Sequence, residues 1–284
     1  MHPARRLWTA LEPIHGVVYF APGVRDAGVG IGLRGFWMTY FAFRAAPLGP
    51  VGAGAVVATF AGFEPSMVFK ALPDAWSRAE PAKCLAARAE VSTAALRSAG
   101  VAEDACAEAV SLLAPVAASM DPTGRALYAA NAELPMTDDP VAGVWQLATA
   151  LREHRGDGHV AALLAAGVTG LEALVLQVGA GKFSAELMRS VRGWSTEDWD
   201  VAARALRSRG ILDEDGLLTA WGKEFLDAIE ERTDERAWTG GLAALGEDGV
   251  DRVLATLRPS VVKLWESGML PEVNPTGLPP GQLA

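Results

Sequence analysis

The fold is decided by residues 206–225, LRSRGILDEDGLLTAWGKEF. Gly210 ends a helical stretch, and two short apolar segments, 211–212 and 217–218, then flank an acidic turn. Apolar segments on either side of such a turn predict a small β-hairpin. Thr219 stands where a cap is expected before the helical pattern that follows. The stretch therefore predicts helix, hairpin and helix in succession, in a chain that elsewhere carries almost no β signal.

Two further helices precede this stretch. Ser184 can cap a short helix, and a turn follows at Gly193. Ser195, with Asp198 three residues later, resembles a capping box that opens a helix running to Arg209. Helix, turn, helix, hairpin and helix in this order predict a winged helix in the second half of the chain.

A faint repeat relates the two halves of the chain. The spacing from Trp8 to Gly32 is 24 residues, and the spacing from Trp145 to Gly170 is 25 residues. Chance matching in a chain rich in Ala, Leu and Gly is the alternative explanation. We interpret the repeat as a duplication with a joint at residues 136–141, MTDDPV. The prediction is a mainly α protein built from two tandem, degenerate winged-helix halves, residues 1–135 and 136–284.

Apolar spacing predicts most of the chain as helix, including residues 82–98, 102–118 and 140–167. No stretch approaches the roughly 20 apolar residues that span a bilayer, and no signal core is evident near the N-terminus. Cys84 and Cys106 have no metal-type spacing and form no disulfide framework. We expect a cytoplasmic protein that has no membrane partner.

Charge argues against DNA as the partner. The chain carries a net charge of −9, whereas phosphate binding is driven by clustered positive charge. The helix that would read DNA begins with Glu197, Asp198 and Asp200, and the predicted wing tip carries three more acids at 213–215. Carboxylates at these places repel phosphate, so we expect DNA binding to be absent.

The most unusual stretch is LREHRGDGH, residues 151–159, which places two His, two Arg, one Glu and one Asp in an Ala- and Leu-rich helix. Gly156 and Gly158 would each cost roughly 1 kcal/mol in that helix relative to Ala. Arg155 and His159 share a stripe with Leu151, so both are expected to point inward. The alternative is that this stretch forms an ordinary solvent-exposed helix face, in which one or two histidines have hydrogen-bond partners within the protein.

The matching helix of the first half carries His15 and Tyr19, again four residues apart. If the halves pair about a pseudo-twofold axis, His15 comes near His154 and His159. We therefore predict a cavity that touches His15, Arg155 and His159, with Tyr19 at its edge. The predicted ligand is a small molecule, partly apolar, with an anionic or hydrogen-bonding group. Its proposed contacts are His15, Tyr19, Trp37, Arg44, Glu153, His154, Arg155, Asp157 and His159.

Two other functions remain open. One is a ligand-responsive transcription factor, and the other is a haem- or metal-dependent enzyme that uses His154 or His159. These two histidines are five residues apart, a poor helical spacing for one metal ion. The sequence identifies no cofactor. A glycine pattern at residues 30–35 matches a dinucleotide fingerprint, but no strand precedes it.

Three segments resemble signature segments of a widespread actinobacterial family of helix-turn-helix, MarR-like proteins. They are EPIHGVVYFAPG (12–23), RGFWMTYFAFRAAPLG (34–49) and LREHRGDGHVAALLAAG (151–167). Residues 206–225 also resemble the wing region of MarR-type regulators. The resemblance implies a scaffold like a MarR dimer fused into one chain, and the family label implies a regulator. Members often carry an acid after YFAP, where this chain has Gly23.

Overall fold

The computed structural model of the chain describes residues 1–277, and these form fifteen α-helices and no β-strand. The helices are α1 (Pro3–Phe20), α2 (Val24–Gly30), α3 (Gly35–Ala45), α4 (Ala53–Phe60), α5 (Pro65–Ala71), α6 (Asp74–Arg78), α7 (Pro81–Ser98), α8 (Glu103–Ser119), α9 (Ala126–Ala132), α10 (Pro140–Ala165), α11 (Gly170–Gly179), α12 (Ala185–Arg192), α13 (Thr196–Ser208), α14 (Ala220–Thr239) and α15 (Gly246–Glu266). The mainly α class is confirmed.

The helix starts in the second half follow the predicted capping residues. The side chains of Ser184, Ser195 and Thr219 each accept a backbone N–H in the first turn of α12, α13 and α14. Asp139 does the same for α10 by accepting from the first N–H groups of that helix. Local cap chemistry is therefore enough to place these four helices along the chain.

The predicted β-hairpin does not form as a pair of strands. Leu212 and Leu218 make a single antiparallel bridge, the one bridge within residues 1–277. Beyond it, Leu218 N donates to the carbonyl of Gly179 at 3.0 Å, and Thr219 already caps α14. The two segments are too short to form a longer ladder, because Leu218 already bonds the end of α11 and Thr219 already caps α14.

The buried apolar residues form two clusters. The larger joins α1–α9 to the first half of α10, the end of α14 and α15. The smaller lies among the end of α10, α11–α13 and the start of α14. Helix α10 packs against α1, α7, α8, α9 and α14, so it lies at the centre of the molecule.

Among the described residues, no single helix is both long and apolar enough to cross a membrane. Two bent pairs, α3 with α4 and α10 with α11, reach that length and composition when each pair is taken together.

Candidate functional site

A small cavity lies where α1, α3, α7 and α10 meet. Its volume is about 10 Å³, close to the room that one water molecule needs. The lining residues are His15, Val18, Tyr19, Tyr40, Phe43, Arg44, Arg88, Trp145, Thr149 and Glu153. We call this space the central cavity.

A hydrogen-bond chain fixes the tautomer of His15 beside this cavity. Thr149 Oγ1 donates its single proton to the carbonyl of Trp145 at 2.9 Å, so it accepts from His15 Nδ1 at 3.0 Å. His15 Nε2 then accepts from the Tyr19 hydroxyl at 2.9 Å. Burial, followed by the charge of Arg152, lowers the pKa of His15 well below its ordinary value. His15 is therefore neutral at pH 7.

A buried carboxylate anchors two arginines next to the histidine. Glu153 accepts two hydrogen bonds from Arg44, both at 3.2 Å, and one from Arg152 at 2.8 Å. Arg152 also lies 3.4 Å from a carboxylate oxygen of Glu12. Burial raises the pKa of Glu153, but the guanidiniums of Arg152 and Arg44 more than offset this and hold it well below its usual range. Glu153 is therefore a carboxylate at neutral pH.

An open groove of about 690 Å³ lies on the other side of Arg152. Helices α1, α10, α11, α12 and α14 contribute to it, together with residues 272–277 of the C-terminal segment. Its lining includes Trp8, Glu12, Arg152, Arg155, Gly156, His159, Leu174, Lys182, Phe183, Met188 and Glu230. We call this space the inter-half groove. Because Arg152 and Glu12 line it while Glu153 lines the central cavity, their ion pairs separate the two spaces.

Arg155 is held by acids of α14. It lies 2.8 Å from Asp234 and 3.1 Å from Glu230. Arg5 contacts the same two carboxylates, each at 2.7 Å. The guanidinium of Arg155 also stacks 5.2 Å from the ring centre of Trp8. These contacts tie α1, α10 and α14 together along one wall of the groove.

His159 is held in the same way as His15. Thr233 Oγ1 donates to the carbonyl of Ile229 at 2.8 Å, so it accepts from His159 Nδ1 at 3.0 Å. The proton on Nδ1 leaves Nε2 as a hydrogen-bond acceptor. Burial lowers the pKa of His159, which keeps the ring neutral at pH 7.

The structure divides the predicted site residues among several places. His15, Tyr19, Arg44 and Glu153 line the central cavity, whereas Arg155 and His159 line the inter-half groove. One cavity that touches His15, Arg155 and His159 together is therefore not what forms, because Arg152 and its carboxylates stand between the two spaces. Trp37 packs in an aromatic cluster with Tyr40, Phe41 and Phe63.

His154 and Asp157 face α9 and the loop before it. The His154 ring meets Tyr128 edge-on at 4.8 Å, and burial, followed by the charge of Arg125, lowers its pKa to about 4. Neither ring nitrogen of His154 has a hydrogen-bond partner among residues 1–277. Asp157 accepts from the backbone N–H of Tyr128 at 3.0 Å. Burial raises the pKa of this carboxyl to about 6.

The predicted inward stripe of α10 is displaced. The buried polar residues of α10 are Thr149, Glu153, His154 and Asp157, while Arg155 and His159 are half-buried. Periodicity fails here because α10 has neighbours on nearly every side, so no stripe is left for solvent. Sequence reasoning also missed Arg88, Thr149, Arg152 and Thr233. A lone Arg or Thr in a helix gives no signal of a partner that is distant along the chain.

The described part of the chain offers no cluster of side chains of the types that ligate metal ions. Within residues 1–277, no three side chains of His, Cys, Asp or Glu come together in a way that could hold a metal ion. The structure therefore adds no observation in favour of a metal or haem site at His154 or His159.

The model of a helix-turn-helix family matches residues 4–271, nearly the whole chain. No curated protein and no solved structure matches.

Proposed function

The chain belongs to this helix-turn-helix family, and we propose that it is a cytoplasmic small-molecule-binding protein whose ligand occupies the inter-half groove. The observation that carries the proposal is the groove itself. Its volume of about 690 Å³ falls within the range of roughly 300–1,000 Å³ that is usual for small-molecule sites. A MarR-like scaffold and a duplication are part of the proposal.

Corresponding helices of the two halves pack in corresponding pairs, which supports the duplication. Helix α1 packs on α15, and α10 packs on α8. When Trp8 is aligned with Trp145, Glu12 matches Thr149 and His15 matches Arg152. His15 bonds Thr149, and Arg152 pairs with Glu12, so the same two positions meet twice with the helices exchanged. This is the contact pattern that a pseudo-twofold axis between residues 1–135 and 136–284 would produce.

The groove lining indicates the kind of ligand. Trp8, Leu174, Phe183 and Met188 offer apolar surface. Arg152 and Arg155 are already paired with carboxylates, so Lys182 supplies the positive charge that an anionic group would meet. The unprotonated Nε2 of His159 adds an acceptor. A partly apolar molecule with an anionic group and a hydrogen-bond donor fits these walls.

Gly156 supports a ligand in the groove. A methyl group added to this residue would make only ordinary contacts, at 3.6 Å from Arg152 and Glu153. Packing within the protein therefore does not require glycine, although glycine costs a helix about 1 kcal/mol relative to Ala. Because Gly156 lines the groove, close approach of a ligand accounts for its presence.

The test compares two histidine variants by thermal melting against fractions of a protein-free metabolite extract. His159→Ala removes an imidazole from the groove, and His2→Ala removes one that lies outside it. We expect at least one fraction to raise the Tm of the wild type and of His2→Ala but not of His159→Ala. The proposal fails if no fraction raises the wild-type Tm, or if both variants respond as the wild type does.

A ligand-responsive DNA-binding regulator is the second candidate, favoured by the family and by the capped pair α12 and α13. Two observations oppose it. Arg207 and Arg209 at the end of α13 donate to backbone carbonyls instead of projecting freely. The turn before α13 also contacts the segment after α4, where Trp194 Nε1 donates to Gly62 O at 3.0 Å.

Selection from a random duplex library tests this second candidate. We expect no duplex to be enriched at physiological salt. A selected duplex whose nanomolar binding is lost on charge reversal at the exposed Arg204 would replace the ligand-binding proposal with the regulator.

A further inference from the structure

The central cavity is lined by hydrogen-bond donors that lack acceptors. Trp145 is 1% exposed, and its indole Nε1 has no hydrogen-bond partner among the described residues. An indole N–H can only donate. The Tyr40 hydroxyl accepts from Arg44 at 3.4 Å, which leaves its own proton for another acceptor. By contrast, the Tyr19 proton is already given to His15.

The charges that line this cavity do not balance. Arg44 and Arg88 are positive, Glu153 is the lining carboxylate, and His15 is neutral. Arg44 is paired with Glu153. Arg88 as a whole residue is 4% exposed. Its guanidinium donates to two neutral acceptors, the Phe43 carbonyl at 3.0 Å and Asn131 Oδ1 at 2.9 Å.

The buried charge of Arg88 is costly without a counterion. Burial lowers the pKa of Arg88 to about 10, which still leaves the guanidinium charged at neutral pH. Buried charges in proteins are normally paired. An anion in the cavity would supply both the missing negative charge and an acceptor for the unpaired indole.

We propose that the central cavity is a binding site for a halide-sized monovalent anion, with Trp145, Tyr40 and Arg88 as its donors. The volume of about 10 Å³ is near the lower limit for one water molecule. A halide therefore fits only if the lining side chains move outward slightly, and a larger oxyanion is excluded. The site lies behind the Arg152–Glu153 pair and does not depend on a ligand in the inter-half groove. A single water molecule is the neutral alternative, which would leave Arg88 unbalanced.

Thermal melting of the full chain tests the site. Sodium chloride or bromide is titrated at constant ionic strength against sodium gluconate, whose anion is too large for the cavity. We expect a saturable rise in Tm with either halide. Equal melting in halide and gluconate would overturn the proposal and would favour a bound water.

Two tryptophan variants assign the effect to the cavity. Trp145→Phe removes the indole donor, and Trp199→Phe makes the same change in the smaller apolar cluster. We expect Trp145→Phe to raise the half-saturating halide concentration about tenfold or more, because a hydrogen bond to a charged group is lost. Trp199→Phe should keep the wild-type value. Equal responses of the two variants would contradict the assignment.

Anomalous scattering from bromide gives a result that does not depend on any variant. A wild-type crystal grown with bromide should show an anomalous peak within hydrogen-bond distance of Trp145 Nε1. A cavity without a bromide peak at saturating bromide would overturn the proposal even if Trp145→Phe does not fold.

Discussion

Glu153 joins residues that are distant along the chain. Its carboxylate binds Arg44 of α3 and Arg152 of its own helix, and it is 1% exposed. A buried ion pair is a weak source of net stability, but the loss of one partner leaves a buried charge unpaired. The sequence singled out Glu153 and Arg44 as site residues without pairing them, because helical spacing gives no information on contacts between distant segments.

Glu153→Gln should destabilise the protein strongly. The change leaves Arg44 and Arg152 without their shared carboxylate, a loss of about 3–5 kcal/mol in the free energy of unfolding. Glu231→Gln makes the same chemical change at an exposed position of α14 and should alter stability very little. Urea unfolding at pH 7 measures both. Similar midpoints for the two variants would show that the central ion pairs are dispensable.

Asp157→Asn should change how stability depends on pH. The pKa of Asp157 is raised from 3.8 to about 6 in the folded protein. Between these values the folded state keeps a proton that the unfolded state has lost, so this residue makes the free energy of unfolding fall as pH rises. Asn cannot titrate and can still accept from Tyr128 N.

Urea unfolding of the Asp157 variant between pH 4 and 6.5 measures this effect. The advantage of Asp157→Asn over the wild type should grow across this window. His154 titrates in the same range with the opposite sign, but it is present in both proteins and cancels in the difference. A stability difference that stays constant with pH would contradict the burial of a titrating carboxyl.

At the scale of elements, α10 explains both the success and the failure of the sequence analysis. The helical pattern predicts its start at residue 140, where the structure has it, and Asp139 caps that start. Its central position, with five helices around it, removes the solvent face on which an amphipathic assignment depends. The inward stripe was therefore assigned to Arg155 and His159 instead of to Glu153 and His154.

Gly156→Ala and Gly158→Ala should separate helix propensity from ligand access. Each should stabilise α10 by up to about 1 kcal/mol, since neither added methyl group meets an atom closer than ordinary contact. Gly156 lines the inter-half groove, whereas Gly158 lies against Arg125 outside it.

Thermal melting with the active extract fraction compares the two glycine variants. Only Gly156→Ala should lose its response to ligand, because Gly156 and not Gly158 lines the groove. If both variants respond fully, Gly156 has no role in binding.

At the scale of the whole molecule, polar contacts at the centre join helices that are distant along the chain. His15 of α1 bonds Thr149 of α10, and His159 of α10 bonds Thr233 of α14. In both pairs the threonine also donates back into its own helix. Caps, helix lengths and the mainly α class could be predicted because they depend on neighbours in sequence. The division into a small cavity and a larger groove could not be predicted, because it depends on Arg152 and Glu153 meeting Glu12 of α1 and Arg44 of α3, which are distant along the chain.

Native mass spectrometry of the full chain, after incubation with a protein-free metabolite extract, tests the central claim most directly. We expect the wild type to retain a small organic molecule that is released on denaturation, and His159→Ala to lose it while His2→Ala keeps it. Retention of no small molecule by the wild type would contradict the account, and so would equal retention by His159→Ala and His2→Ala.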